Sequence, residues 1–337
     1  MTGTVTPVRN TRLAGAARHG WIAALLLCST PAWASPFAYI TNQGSHDVSV
    51  IDLASQQVVA TVAVGRSPAG VVASGRAGRA FVSNPDSKTI SVIDMRQQKV
   101  VNTLPAGDGP VGLDISDDGR HLYVADWFGA RLLVFDARAS AAGPPLAAIP
   151  VGRAPAGVAA HTDGATVFVA ERDADSVAVV DTAARQVRAR VRVGSHPFAL
   201  LYDAPRKRLY ALNVQSDDIS VIDMRDLRRP AVIAAVKVGK APYGAALAQG
   251  GALLYVTNQH DDSVSVVDAD SLRVLSTLPG FGYPEGIAAH ADRVYVVNWM
   301  DDNVQVLDAA SGRKLATIAT GKNSRGFGAF IGAPAEP

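Results

Sequence analysis

Seven short loops hold most of the side chains in this sequence that are suited to binding chemistry. Four loops have a basic residue at the same place: Arg66 in Gly65-Arg66-Ser67-Pro68, Arg153 in Gly152-Arg153-Ala154-Pro155, Lys240 in Gly239-Lys240-Ala241-Pro242 and Lys322 in Gly321-Lys322-Asn323-Ser324. Arg325 follows directly on the last. The other three read Gly107-Asp108-Gly109-Pro110, Gly194-Ser195-His196-Pro197 and a longer Gly280-Phe281-Gly282-Tyr283-Pro284. Cations gathered at one mouth would draw in an anionic ligand. The same charges spread along a solvated rim would be ordinary surface. The residue types alone leave both readings open.

Large aromatic residues cluster around these loops where the pattern does not require them. Phe198 and Tyr243 follow loop prolines, Tyr283 precedes one, and Glu285 stands beside that proline. Trp127-Phe128 and Trp299-Met300 fall at turn positions that hold Gln43, Pro85, Arg172, Val214 and Gln259 elsewhere. An aromatic packs wherever it finds a wall, but apolar pairs in turns usually meet a partner.

Catalytic signatures are missing. No Gly-x-Ser-x-Gly elbow, phosphate-binding loop or dinucleotide fingerprint occurs. No two of the seven histidines have metal-ligand spacing. His121, His161 and His290 fall at one end of the expected architecture; His46, His196 and His260 fall at the other, in separate repeats. Neither a metal nor a cofactor is expected.

The elements that position these loops emerge from self-similarity. Strand-like segments led by an aromatic begin at Tyr39, Phe81, Tyr123, Phe168, Tyr210, Tyr255 and Tyr295, spaced by 42, 42, 45, 42, 45 and 40 residues. Thirteen residues after each aromatic stands an aspartate: Asp52, Asp94, Asp136, Asp181, Asp223, Asp268 and Asp308. A constant interval inside a variable repeat places the insertions outside one hairpin, in Ala139–Pro145 and Asp226–Pro230 for example, because a one-residue slip would turn every side chain to the wrong face. In the second copy the four strands are expected at Ala69–Ser74 (A), Arg79–Asn84 (B), Ile90–Asp94 (C) and Val100–Leu104 (D). Four strands in 40–45 residues make a propeller blade, and seven copies predict an all-β, seven-bladed β-propeller. The chain enters on a B strand at Phe37, and Arg325–Ile331 resembles a lone A strand, so the last strand is expected to complete the first blade and leave no open edge. The D–A and B–C loops then share one end of the ring. Asp52 and its six counterparts are expected to cap the C–D turns. Asn42, Asn84, Asn213, Asn258 and Asn298 are likewise expected to be structural.

Tyr255-Val256-Thr257-Asn258, the following Asp262–Asp268 run and the Val-Gly-x-x-Pro-x-Gly turns resemble the YVTN-repeat β-propellers, and specifically their YncE-like members, over Phe37 to Ile331. The resemblance implies the propeller fold. It also implies a spread of roles: nucleic-acid binding, partnership with quinoproteins, cell-surface display, lactone hydrolysis and haem binding. The main expectation is a non-catalytic binding or scaffold protein. Its D–A/B–C face, made of Arg66, Trp127, Phe128, Arg153, Arg172, Phe198, Lys240, Tyr243, Tyr283, Glu285, Trp299, Lys322 and Arg325, would engage a protein partner or a single nucleic-acid strand. The alternative is a lactonase-like enzyme or a metal- or haem-carrying subunit, with Glu285, Arg172, Glu171, Asn213 and His196 converging at the channel mouth.

Residues 1–34 read as a cleaved signal peptide. Arg9, Arg12 and Arg18 precede an apolar Trp21–Cys28 segment, and Ala32-Trp33-Ala34 is a cleavage site. Lipidation at Cys28 is the rival processing, although Leu27 precedes it where a small residue is usual. A periplasmic, monomeric protein without membrane insertion is expected, with residues 35–337 as one domain. Removing the segment takes away the only cysteine and leaves 29 basic against 30 acidic residues, so the slightly basic balance of the whole chain does not point to nucleic acid.

Overall fold

A computed structural model describes residues 1–7 and 36–334; the predicted signal peptide and its cleavage site lie almost entirely outside them. Contacts divide the chain into Met1–Trp33 and Ala34–Pro337, and every described strand belongs to the second unit. Seven four-stranded antiparallel sheets form the blades of an all-β propeller. Among the described residues no helix is long and apolar enough to cross a membrane.

The second blade runs Val71–Ser74, Arg79–Asn84, Thr89–Asp94 and Lys99–Pro105, within two residues of the sequence expectation. Burial peaks in the middle strands of each blade and falls to the outermost one. All but the first residue of most B strands is buried, because both faces of that strand meet a neighbouring sheet. The D strands are mostly exposed. The leading aromatic of every B strand lies among the largest fully buried side chains. Tyrosine at that position does more than fill space. The Tyr255 hydroxyl donates to the Ala309 carbonyl of the next blade at 3.0 Å, and Tyr39 accepts from Gln98 at 3.1 Å.

Two devices hold the blades around the axis. A glycine two residues after the loop proline (Gly70, Gly112, Gly157, Gly244 or Gly286) lies so close to the next inner strand that a Cβ would meet a carbonyl oxygen at 2.0–2.5 Å. Only glycine permits that approach. The hydroxyls of Thr41, Ser83 and Thr257 then donate to the same neighbouring strands, at Ala69, Val111 and Glu285, over 2.7–2.9 Å.

All seven repeat aspartates accept backbone amides in their C–D turns, for example Ser55 N–H to Asp52 at 2.7 Å and Ser311 N–H to Asp308 at 2.8 Å. The repeat asparagines brace their own hairpins. Asn258 Nδ2 donates to Ser263 and Ser265, and Asn42 to Asp47 and Ser49.

The ends of the propeller meet as expected, but less regularly. Ladder pairing with Phe37–Asn42 covers only Ile331–Gly332, with an isolated bridge from Ser324 to Asn42. Between them Gly326 and Gly328 take positive φ values of 65° and 120°, and the chain leaves the ladder there. It bonds both neighbours instead: Arg325 N–H reaches Thr41 O at 2.8 Å, and Val71 N–H reaches Phe327 O at 2.8 Å. The detour carries Phe327 into the channel.

Candidate binding site at the channel mouth

The residue after each loop proline, or after Ser324 in the closing segment, stands where the inner strands begin at the channel mouth. In order around the ring these residues are Ala69, Val111, Ala156, Phe198, Tyr243, Glu285 and Arg325. Three consecutive blades contribute small side chains and the remainder contribute large ones. The small side leaves a cavity of about 370 Å³, walled by Val111, Trp127, Phe128, Phe198, Tyr243 and Arg325, with Gln43, Pro85 and Asp86 on its rim. Phe327 borders this cavity and also a second one further along the channel, so its ring stands between them.

The aromatic wall is continuous. Phe198 stacks on Tyr243 with ring centroids 4.5 Å apart, meets Phe327 at 5.0 Å and faces Trp127 at 6.3 Å. The Arg172 guanidinium lies 5.5 Å over the Trp127 ring and pairs with Asp173 at 2.6 Å. Phe128 remains 78% exposed although it lies against Gly109, where a Cβ would come within 2.7 Å of its ring. A glycine there lets a large apolar side chain rest on the loop without being buried by it.

One wall carries charge. Arg325 Nε donates to Glu285 at 2.6 Å, its Nη2 donates to the Tyr243 hydroxyl at 2.5 Å, and Gln259 Nε2 donates to Glu285 at 2.9 Å. Burial pushes the Glu285 carboxyl up, while the Arg325 guanidinium and the Gln259 amide pull it back. Burial also raises the Tyr243 hydroxyl. Burial disfavours the Arg325 charge, but the carboxylate and the hydroxyl outweigh it and hold the guanidinium protonated. Glu285 is thereby committed to its partner, and the arrangement is a positioned ion pair rather than a free acid or base.

Five of the thirteen residues expected from the sequence line this cavity: Trp127, Phe128, Phe198, Tyr243 and Arg325. Glu285 and Arg172 stand outside the lining and hold lining residues, Glu285 through Arg325 and Arg172 over Trp127. Trp299 reaches it indirectly, its indole Nε1 donating to Gln43 at 3.2 Å, and it forms a second aromatic group with Tyr283 and His260. Arg66, Arg153, Lys240 and Lys322 stay exposed on the rim and outside the cavity lining. Arg66 and Arg153 donate to the carbonyls of Asp86 and Asp173, and the Lys240 amide is held by the Asp261 carboxylate, so acidic residues alternate with the basic ones. Of the five residues considered for catalysis, several are engaged by local partners. Glu171 is taken up by Gly152, Ser176 and Arg190, and Asn213 by Asp218 and Ser220. Among the described residues no three His, Cys, Asp or Glu side chains are grouped to hold a metal.

Solved propellers share this architecture. A chain of Kuenenia stuttgartiensis hydrazine synthase superposes with a TM-score of 0.72 at 19% identity, covering 86% of this chain and 99% of that one. The Pseudomonas aeruginosa periplasmic gluconolactonase PpgL gives 0.72 at 20% identity over 90% of this chain and 100% of its own. The dihydro-heme d1 dehydrogenase NirN gives 0.65 at 15% identity over 86% and 74%. At such identities the likeness is one of fold. No curated protein matches the chain in sequence. The model of the YNCE-like β-propellers matches residues 72–165 and 145–335. The chain belongs to the YncE-like β-propeller family.

Proposed function

We propose that this chain is an exported, non-catalytic binding propeller whose channel mouth receives an apolar or aromatic side chain of a protein partner. The observation that carries this reading is Phe128, a large apolar side chain left 78% exposed at the lip of an aromatic-walled cavity. Met300, 62% exposed, extends apolar surface on the same face. Such exposure costs solubility unless a partner covers it, and an aromatic pocket is the usual seat of an interface anchor. A single nucleic-acid strand fits less well. The aromatics offer stacking, but aspartates interleave the rim cations, and the field that draws phosphates needs an uncompensated basic track. Export rests on the character of residues 1–34. The periplasmic setting printed for one fold neighbour, the gluconolactonase, is consistent with it.

A benzophenone side chain placed at position 128 in the full chain tests the proposal in cells. Irradiation is expected to give an adduct of defined mass with one protein at position 128 and none at exposed Leu146, which lies away from the mouth. The secreted protein is expected to begin at Ser35. Equal adducts at both positions, or none at 128, overturn the reading. An oligonucleotide that binds at low salt and is lost at moderate salt would transfer it to nucleic acid. Lactone turnover, or a visible absorption band in purified protein, would favour the enzymatic or haem-carrying alternative suggested by the neighbours' names.

A further inference from the structure

The repeat is broken once on the wall of the second channel cavity. Four residues after the loop proline, or after Ser324 in the closing segment, the inner strands carry Val72, Ala159, Leu201, Ala246, Ala288 and Gly328; in the third blade the same place holds Asp114. A feature that recurs in every blade is a structural device, whereas a carboxylate replacing an apolar residue in one blade requires a separate reason. Asp114 lines a cavity of about 370 Å³ at the A–B end of the channel, among Leu113, Leu201, Tyr202, Leu247 and Ile287. One oxygen accepts the Ala160 N–H at 2.8 Å and the other the Ile115 N–H at 2.8 Å. A carboxylate has about four lone-pair sites, so roughly half are left over after these two amides. Among the described residues no cationic side chain pairs with it.

We propose that this lower chamber binds a small organic ammonium ion, with Asp114 as its counter-charge and the aliphatic wall as the seat of its apolar body. A charge in an apolar cavity is costly until it is paired, and an ammonium group supplies both the charge and the donors that the open lone pairs lack. A lone carboxylate has too few ligands for a divalent metal. Tyr202 adds an aromatic face at the chamber edge, its ring 4.9 Å from that of His161.

Burial pushes the Asp114 carboxyl up to about 6, with the Ala160 and Ile115 amides pulling the other way and the Asp117 charge adding to the rise. Around it stand Tyr123 and Tyr202, whose hydroxyls are themselves raised by burial, His161 with its partner Asp163, and Asp118. Binding therefore weakens as pH falls through about 6 and Asp114 takes up its proton, while the ammonium keeps its charge.

Calorimetric titration of the full chain at pH 8 with cyclohexylammonium, with n-butylammonium and with neutral cyclohexanol decides the matter. Both ammonium ions are expected to bind, and cyclohexanol at least about tenfold more weakly, the usual scale of a charged hydrogen bond. Asp114→Asn should cost the same factor, and Ala289→Phe, which fills the chamber from the seventh blade, should abolish binding while leaving the carboxylate in place. Circular dichroism checks that each variant folds. If Asp114→Asn fails to fold, the decision passes to Ala289→Phe and the pH profile. Equal binding of cyclohexanol, undiminished affinity in either folded variant, or no binding of either ammonium ion overturns the proposal.

Discussion

At the scale of single residues, the mouth depends on one buried ion pair. Glu285 is 3% exposed, and its carboxylate answers a guanidinium that also holds Tyr243. Such a pair adds little net stability when intact, because desolvation offsets attraction, but removing one partner strands the other. Glu285→Ala is therefore expected to destabilise the protein by about 3–5 kcal/mol. Glu285→Gln, which keeps an acceptor for Arg325, should cost less. Chemical denaturation compares the two, and an Ala variant as stable as the Gln variant would show that the charge itself is unimportant. This wall was only partly legible in the sequence. The aromatics announced themselves by standing in turn positions. The cavity did not, because it is made by what is missing: Ala69 and Val111 are unremarkable until set in one column with Phe198, Tyr243, Glu285 and Arg325. The strand-like pattern of Arg325–Ile331 gives no hint that two glycines bow it inward, so the sequence does not mark Phe327 as a channel residue.

At the scale of elements, the repeat was readable because a hairpin tolerates no change in length, so thirteen residues recur while loops vary around them. The links between loops were harder to read. In five blades a B–C loop residue with positive φ accepts the backbone amide of another such residue in the outgoing D–A loop: His46 from Ser67, Asp175 from His196, Asp217 from Ala241, Asp262 from Tyr283 and Asp302 from Asn323. The acceptor is an aspartate in four cases and a histidine in one, and the interval is 21 residues in four and 24 in one, so no single motif spells it out. The second and third blades place Lys88 and Ala130 at the left-handed position instead, and these are the blades beside the mouth cavity. The latch fixes each connection into the next blade and is worth a side-chain cap. Asp302→Ala should lower stability by about 1–2 kcal/mol, combining the lost bond with the strain of alanine at φ 52°. Asp302→Gly removes the bond but relieves the strain, so it should fall between alanine and the parent in thermal melts. Alanine melting with the parent would mean that Asn323 needs no anchor.

For the whole molecule, stability rests on the closed ring, since the propeller carries no cysteine to cross-link it. The closing segment buries Phe330 completely and Phe327 to 7% exposure, bonds both flanking blades, and supplies Arg325 to the mouth. Truncation before Arg325 would therefore expose the edge of Phe37–Asn42, open the gap between the first and second blades and leave Glu285 without its cation. Losing the burial of two phenylalanines alone amounts to roughly 3–6 kcal/mol. At about 2–4 °C per kcal/mol for a large domain, the apparent melting point should fall by on the order of 10 °C or more. Removing only residues 333–337 keeps Ile331 and Gly332 on the ladder and should leave the melt almost unchanged. If the longer truncation melted with the full chain, the seven sheets would be holding together through side-by-side packing alone. If both truncations lowered the melt equally, the stabilising contacts would lie beyond Gly332. Only the pair of results, one large and one near zero, places the fastening of the ring between Arg325 and Gly332.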